Sequence, residues 1–448
     1  MVTNMKKPLI AGLAMALAIV THAQTIDGKP EVRDEILNRL TSRIENMAFV
    51  PGIDFKKWDE FLKNERTKID EAKNDEEFKA AINTALKKFG FSHIVLATPK
   101  DAAQRNTGQT VGIGISSQPA ADGNGRVIIR VVENSPASEA GLEVGDVMLE
   151  MDGKKIADTT VMTGDIGSKV KLKIKKADGK MFEYSITRRT FSTVRKDEFK
   201  MLNDSTGYLK INTFDRAYDA KTIDTYMKDA VKAKNLVVDL RFNGGGAVSN
   251  LLHFAGYFVD PKLKLGFMLD RNSLSKFKDQ KKAEPANLAE LAPFSNSYIM
   301  TPRKADAQFK GHLIVLINAG TGSASEIFTA SMRDLYGKKT VDKDGNIVAD
   351  TSDKSSCTVI GTKSAGAVLF STFTDASNGF ALQIPIADYL TPSTGRLEGN
   401  PIVPDVVAED PKILLPSSPD KAIDAALAIT ERIRLRETRD VSVKTNGK

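Results

Sequence analysis

The chain holds a single cysteine, Cys357, in 448 residues, so it can form no intramolecular disulfide in any compartment. Nothing near Cys357 argues for a reactive thiol, and it reads as a small buried or loop residue. Histidines number four, one of them in the first 23 residues, and no Cys/His spacing suits a zinc site. There is one tryptophan, and no aromatics are interleaved with the basic residues. Those bases lie along the whole chain among acids, so the net charge of +7 describes a solvated surface rather than a nucleic-acid footprint. Beyond Val20 no apolar run approaches membrane-spanning length, and there is no internal repeat. With 41% apolar and 27% charged residues the composition is that of a globular protein too long for one core, so two or three domains are expected.

Residues 1–23 read as a signal peptide. Lys6 and Lys7 form a positive start, Pro8 to Val20 an apolar stretch, and Thr21-His22-Ala23 a small-residue cleavage site. The mature chain then begins at Gln24, with no adjacent cysteine for a lipid anchor, and the expected location is exported, periplasmic or secreted. Residues 24–95 form a helical N-terminal domain: Ile36, Leu37, Leu40, Ile44 and Met47 recur at helical spacing, and Asn74 with Glu77 opens a further helix through Phe89. His93 stands between that helix and a short strand. Such a histidine is ordinarily structural, yet its titration near neutrality suits catalysis. Residues 96–192 change to short strands and glycine turns, with a hairpin signal at Asp178-Gly179. Residues 193–418 alternate strands and helices, with 261–311 reading as an irregular charged insertion. Residues 419–448 comprise a last helix to 436 and a polar, mobile tail from Glu437.

Within the alternating region one stretch stands out, Leu313 to Gly337. Five apolar residues, Leu313 to Ile317, make a buried strand, and a small-residue turn follows from Asn318 to Gly322. Ser323 then opens an amphipathic helix that Gly337 would cap. A strand that turns sharply into a helix can expose a serine hydroxyl beside free first-turn N–H groups. Ser323-x-x-Glu326 is equally a capping box, and the two roles can coexist.

Two resemblances sharpen this. The run NSPASEAGLEVGDVMLEMDGKKI, from Asn134, looks like a bacterial PDZ domain. The resemblance implies that Val111, Gly112, Ile113, Gly114 and Ile115 present backbone N–H groups to a peptide carboxylate, and that a peptide adds as an extra strand. LVVDLRFNGGG, 236–246, LINAGTGSASEIFTASM, 316–332, and VIGTKSAGAVLFS, 359–371, with RLEGNPIVPDV from Arg396, together resemble the C-terminal processing, or tail-specific, serine peptidases related to tricorn protease. That likeness implies a multidomain α+β protein: helical N-terminal domain, β-rich PDZ-like domain, and an α/β core of the ClpP and crotonase kind. It implies Ser323 as nucleophile, with Gly244, Gly245 and Ala324 as oxyanion donors. The partners are polypeptides; neither metal, cofactor nor nucleic acid is called for.

The chain departs from the family at one position. Where the usual base, a lysine in a phenylalanine-glycine-lysine-glycine turn, should stand, Ser364-Ala365-Gly366-Ala367 puts an alanine. A serine without a base is a poor nucleophile. The candidates for that role are Lys363, His93 and Lys210, with Glu398 either orienting a base or pinning a loop. The expectation is an exported serine endopeptidase with PDZ recognition of substrate C-termini. The alternative is a peptide-binding protein of the same fold with impaired catalysis.

Overall fold

The computed structural model describes residues 26, 29–120, 122–156, 164–295, 300–303, 305–337, 339–341, 347–349, 357–409 and 418–446. The leader read at 1–23 lies outside them. Among the described residues no helix is long and apolar enough to cross a membrane.

The central sheet has six strands in the order Glu198–Asn203, Thr206–Lys210, Asn235–Asp239, His312–Ile317, Cys357–Gly361 and Val406–Val407. The first pair is antiparallel and the others are parallel. Its inner strands Asn235–Asp239, His312–Ile317 and Cys357–Gly361 are buried almost throughout because both faces are covered. Leu313, Val315 and Ile317 pack with Ile223, Phe254 and Phe328 of the helices Ala220–Ala230, Val248–Ala255 and Ala324–Tyr336. Ile314 and Leu316 point the other way, onto Ala422, Ala426 and Ile429 of the C-terminal helix. That helix runs from Lys421 to Asn446, past the expected end at 436, because no proline or glycine interrupts it before Gly447. In a sheet of this kind the loops at the carboxyl ends of the parallel strands form the crevice where ligands bind. Here those loops are 211–217, 240–247, 318–323 and 362–367.

A second sheet joins the N-terminal helices to this core. Leu369–Asp375 pairs with the long strand Ala381–Leu390, which also takes Val95–Ala97 and Phe267–Asp270 on its opposite side. Phe380, Leu382 and Ile384 sink into the apolar interior of the helices Pro30–Met47 and Asp75–Lys87, with Phe78 edge-on to Phe380 at 5.9 Å. The helical domain is thus docked on the core, and Val95 lies opposite Gln383. The 261–311 segment is not irregular. It contains the strand Phe267–Asp270, a helix Arg271–Lys281 and a 3-10 helix Leu288–Phe294. Its helix is mostly polar, and only a narrow face, including Ser273 and Phe277, is buried, so the apolar period is too weak to read.

The PDZ sheet has the order Ile115–Pro119, Arg126–Val131, Val147–Met151, Lys169–Lys175 and Met181–Thr187, with Lys154–Lys155 beside the third. Ile128, Met148, Leu172 and Ile174 fill its interior. The expected single strand Val111–Ile115 is two strand ends about a kink. Gln109–Gly112 pairs with Arg189–Ser192, and Ile115 starts the edge strand of the sheet. Gly114 makes the kink at φ 86°, and a Cβ there would fall 2.2 Å from that of Ser135.

Candidate active site

The turn that presents Ser323 is built by its neighbours. Thr321 is fully buried; its hydroxyl donates to the Leu240 carbonyl at 2.8 Å and accepts the Asn318 N–H at 3.0 Å. Asn318 Oδ1 accepts from Phe242 N and Gly320 N, each at 3.0 Å. Gly322 N donates to Asn243 O at 3.1 Å. These bonds weld the 318–323 turn to the loop after the neighbouring strand. Ser323 then takes φ 52°, ψ −120°, a conformation that glycine prefers and that costs a serine about 1–3 kcal/mol. Its N–H is held by Ala367 O at 3.0 Å and by Glu326 Oε2 at 3.1 Å. The strained angle lifts the half-buried side chain into a cavity of about 700 Å³, lined also by His93, Gly244, Ala324, Ile327 and the strand Leu369–Phe373. Gly337 follows the helix as expected, but in an extended conformation rather than as a left-handed cap.

Glu326, fully buried, is the clamp of this turn. Besides Ser323 N its carboxylate accepts from Ser364 Oγ at 2.5 Å, Gly366 N at 2.8 Å and Ala367 N at 3.0 Å. Burial raises its pKa in spite of these four donors. The turn in which the family lysine was expected is therefore tied down by backbone contacts, with Ala367 in place of a charge.

Of the glycine loop, the Gly245 N–H donates to Asn243 Oδ1 at 3.0 Å and is not available to a ligand. Gly245 matters by its size: at φ 94° a Cβ on it would stand 2.7 Å from both Ser323 Cβ and Ala324 N. The Gly244 and Ala324 N–H groups make no hydrogen bond within the described residues, and both residues line the cavity.

The candidate bases separate cleanly. Lys363 is exposed and does not line the cavity. Lys210 lies elsewhere, with Nζ 3.0 Å from Asp239 Oδ2 in a buried network with Tyr208 and Arg241. Asp239 would be raised by burial, but Lys210, Arg241 and Tyr208 hold it at about 2. His93 lines the Ser323 cavity. It is reached by the docked helical domain, and it adopts φ 60° just before the strand Val95–Ala97. Its Nδ1 is 2.5 Å from Ser92 Oγ, and that hydroxyl is 2.8 Å from Glu398 Oε2. Glu398 Oε1 accepts Ser92 N at 2.7 Å, and Oε2 also accepts Val368 N at 2.8 Å. Ser92 has one hydroxyl proton, and it donates that proton to the carboxylate. His93 Nδ1 must then carry a hydrogen, which leaves the lone pair on Nε2. Burial lowers the imidazole pKa, and Glu398 partly offsets this. Ser323 Oγ makes no hydrogen bond to His93, Lys210 or Lys363 here; such contacts are commonly long before substrate binds. Ser92 was missed in the sequence. Its only local signal is its place beside a histidine.

In the PDZ domain, Val111 and Gly112 pair with Thr190 and Arg189. Ile113 is buried and its carbonyl accepts Ala137 N at 2.8 Å; Ile115 pairs with Val131. Among the described residues the strand from Ile115 to Pro119 has a neighbour on one side only. Among the described residues no group of three or more His, Cys, Asp or Glu side chains is placed to hold a metal ion.

Residues 205–345 and 339–408 match the model of peptidase family S41, and 111–187 that of a PDZ domain. The chain is 24% identical over 388 residues to carboxyl-terminal-processing peptidase 3, chloroplastic, of Arabidopsis thaliana, covering 80% of this chain and 65% of that one. It is 27% identical over 344 residues to a protein named as a CtpA-like serine protease in Staphylococcus saprophyticus, covering 74% of this chain and 60% of that one. The match thus spans slightly under two thirds of the length of these two relatives. A crystal structure from Bacteroides fragilis assigned to the S41 proteases has a similar fold, with TM-score 0.50 at 17% identity, covering 79% of this chain and 90% of that one.

Proposed function

From the match of residues 205–408 to peptidase family S41, with a PDZ-domain match ahead of it, we propose that the chain is a serine-type peptidase in which His93, not a lysine, is the general base. Ser323 Oγ attacks a peptide carbonyl while His93 Nε2 takes its proton. The oxyanion that develops is met by the Gly244 and Ala324 N–H groups, each worth roughly 3–4 kcal/mol at comparable sites. As the tetrahedral intermediate collapses, His93 returns the proton to the leaving amine. A water then repeats the sequence on the acyl-enzyme, with His93 first base and then acid. Glu398, through Ser92, keeps Nδ1 protonated and stabilises the imidazolium. The single observation that carries the assignment is that hydrogen-bond chain, ending at His93, which lines the same cavity as Ser323.

Two further features support a polypeptide substrate. Among the described residues the strand Leu369–Asp375 is paired only along the side facing Ala381–Leu390, and five of its residues line the cavity, so an extended peptide can add along its other side. The PDZ edge strand Ile115–Pro119 offers a second such site, suited to a substrate's C-terminal segment. Export, to the periplasm or beyond, follows from the leader at 1–23; N-terminal sequencing of the mature protein should begin at Gln24. The enzymatic proposal is tested with a fluorophosphonate probe and mass spectrometry. An adduct on Ser323 supports it. Binding of C-terminal peptides without adduct or turnover would instead support a binding protein of the same fold.

A further inference from the structure

Three arginines line the same cavity as Ser323. Arg105 comes from the helix Pro99–Thr107 that leads into the PDZ domain, Arg195 from the link that leaves its strand Arg189–Ser192, and Arg216 from the loop after Thr206–Lys210. The lining holds a single carboxylate, Asp215, so two positive charges are in excess. Arg105 meets Asp215 at 3.5 Å and lays its guanidinium 3.5 Å above the Phe373 ring. Arg195 Nη2 donates to the carbonyls of Phe242 at 2.9 Å and Asn212 at 3.1 Å, contacts that hold the group in place without neutralising its charge. Burial, then the nearby charge of Arg130, lower its pKa, with Asp197 acting the other way. Arg216 is exposed and makes no ion pair among the described residues, and it lines two adjoining cavities as well.

Their position relative to the reacting centre is set by the backbone. Phe214 pairs with Gly246, and its N–H donates to Gly245 O at 2.9 Å, so Asp215 and Arg216 sit beside the glycine loop. Leu369 to Phe373 and Ile327 line the same cavity and add an apolar patch. Guanidinium groups that outnumber the carboxylates lining the same cavity favour an anionic group there, and their planar fork suits a carboxylate.

We propose that this cluster is a carboxylate subsite, so that the cavity selects polypeptide segments bearing an acidic group next to an apolar residue near the scissile bond. The proposal rests on Ser323 as the attacking group for its meaning in catalysis, though not for binding. The acid is an Asp or Glu side chain or a free chain end, and the test separates these.

The probes are fluorescent hexapeptides, blocked at both ends, that differ only in Glu, Gln or Lys beside a leucine, together with a neutral peptide with a free C-terminus. Binding to Ser323→Ala protein is read by anisotropy. The Glu peptide should bind about tenfold more tightly than its Gln twin, less so at high salt. The preference should be largely kept in Arg216→Lys and lost in Arg216→Glu. If only the free C-terminus gains in this Arg216-dependent way, the carboxylate is a chain end and the subsite stands. Equal binding of the Glu and Gln peptides together with no Arg216-dependent gain from the free C-terminus, persistence of the preference in Arg216→Glu, or no measurable binding at all overturns the proposal. A Glu preference with no probe adduct on wild-type Ser323 removes the peptidase reading and leaves the subsite; an adduct without any carboxylate preference does the reverse.

Discussion

Two buried glutamates, Glu326 and Glu398, tie down the loops around the candidate site, and the contrast between them bears on the catalysis proposed without a lysine. Glu326 and Glu398 each accept hydrogen bonds from backbone and a serine hydroxyl. Glu326 ends there: its four donors are the N–H of Ser323 and groups of the turn 364–367, so it fixes geometry. Glu398 passes its charge on, because the hydroxyl it holds belongs to Ser92, which also meets an imidazole. The same carboxylate chemistry is structural in one and electrostatic in the other. What differs is whether a titratable group stands at the end of the chain.

Substitutions should separate the two arms. The largest loss is expected where the arms converge: Ser323→Ala or His93→Ala should lower kcat by about 10³-fold or more in a peptide-cleavage assay. Glu398→Gln should lower kcat by roughly 10²-fold with little loss of fold. It should also shift the acid limb of the pH–rate profile downward. Glu398 raises the imidazole pKa against the lowering effect of burial, so removing its charge leaves burial unopposed. Glu326→Gln should do the opposite, lowering stability by about 1–3 kcal/mol in urea titration while the folded fraction keeps most of its kcat. A drop in kcat for both variants with no change in stability would erase the distinction. Lys210→Met should act on acid stability alone. Asp239, held at about 2, contributes stability that is present above the ordinary carboxylate range and lost as pH falls toward that value. Without Lys210 its pKa rises, so acid unfolding should begin at higher pH. Lys363→Ala should change kcat by less than about twofold, as for an exposed side chain remote from the cavity.

The sequence showed the strand–turn–helix at Leu313–Gly337, the helical start of the chain, the PDZ hairpins and the missing lysine, because each is a local pattern. It did not reveal the Glu398–Ser92–His93 chain, whose members come from positions 306 residues apart and meet only when Val95–Ala97 pairs with Ala381–Gln383. The family likeness likewise implied donors at Gly244 and Gly245, whereas the second N–H is turned to Asn243. The helix Arg271–Lys281 was hidden by its charge, and the kink at Gly114 by the apolar residues on either side of it.

The most direct test is the rate of fluorophosphonate labelling at Ser323, followed by mass spectrometry across pH in wild type, His93→Gln and Lys363→Ala. Labelling that falls off only at pH below the ordinary imidazole value of about 6.5, that is abolished in His93→Gln and unchanged in Lys363→Ala, is the outcome this mechanism requires. Labelling of His93→Gln at the wild-type rate would contradict it.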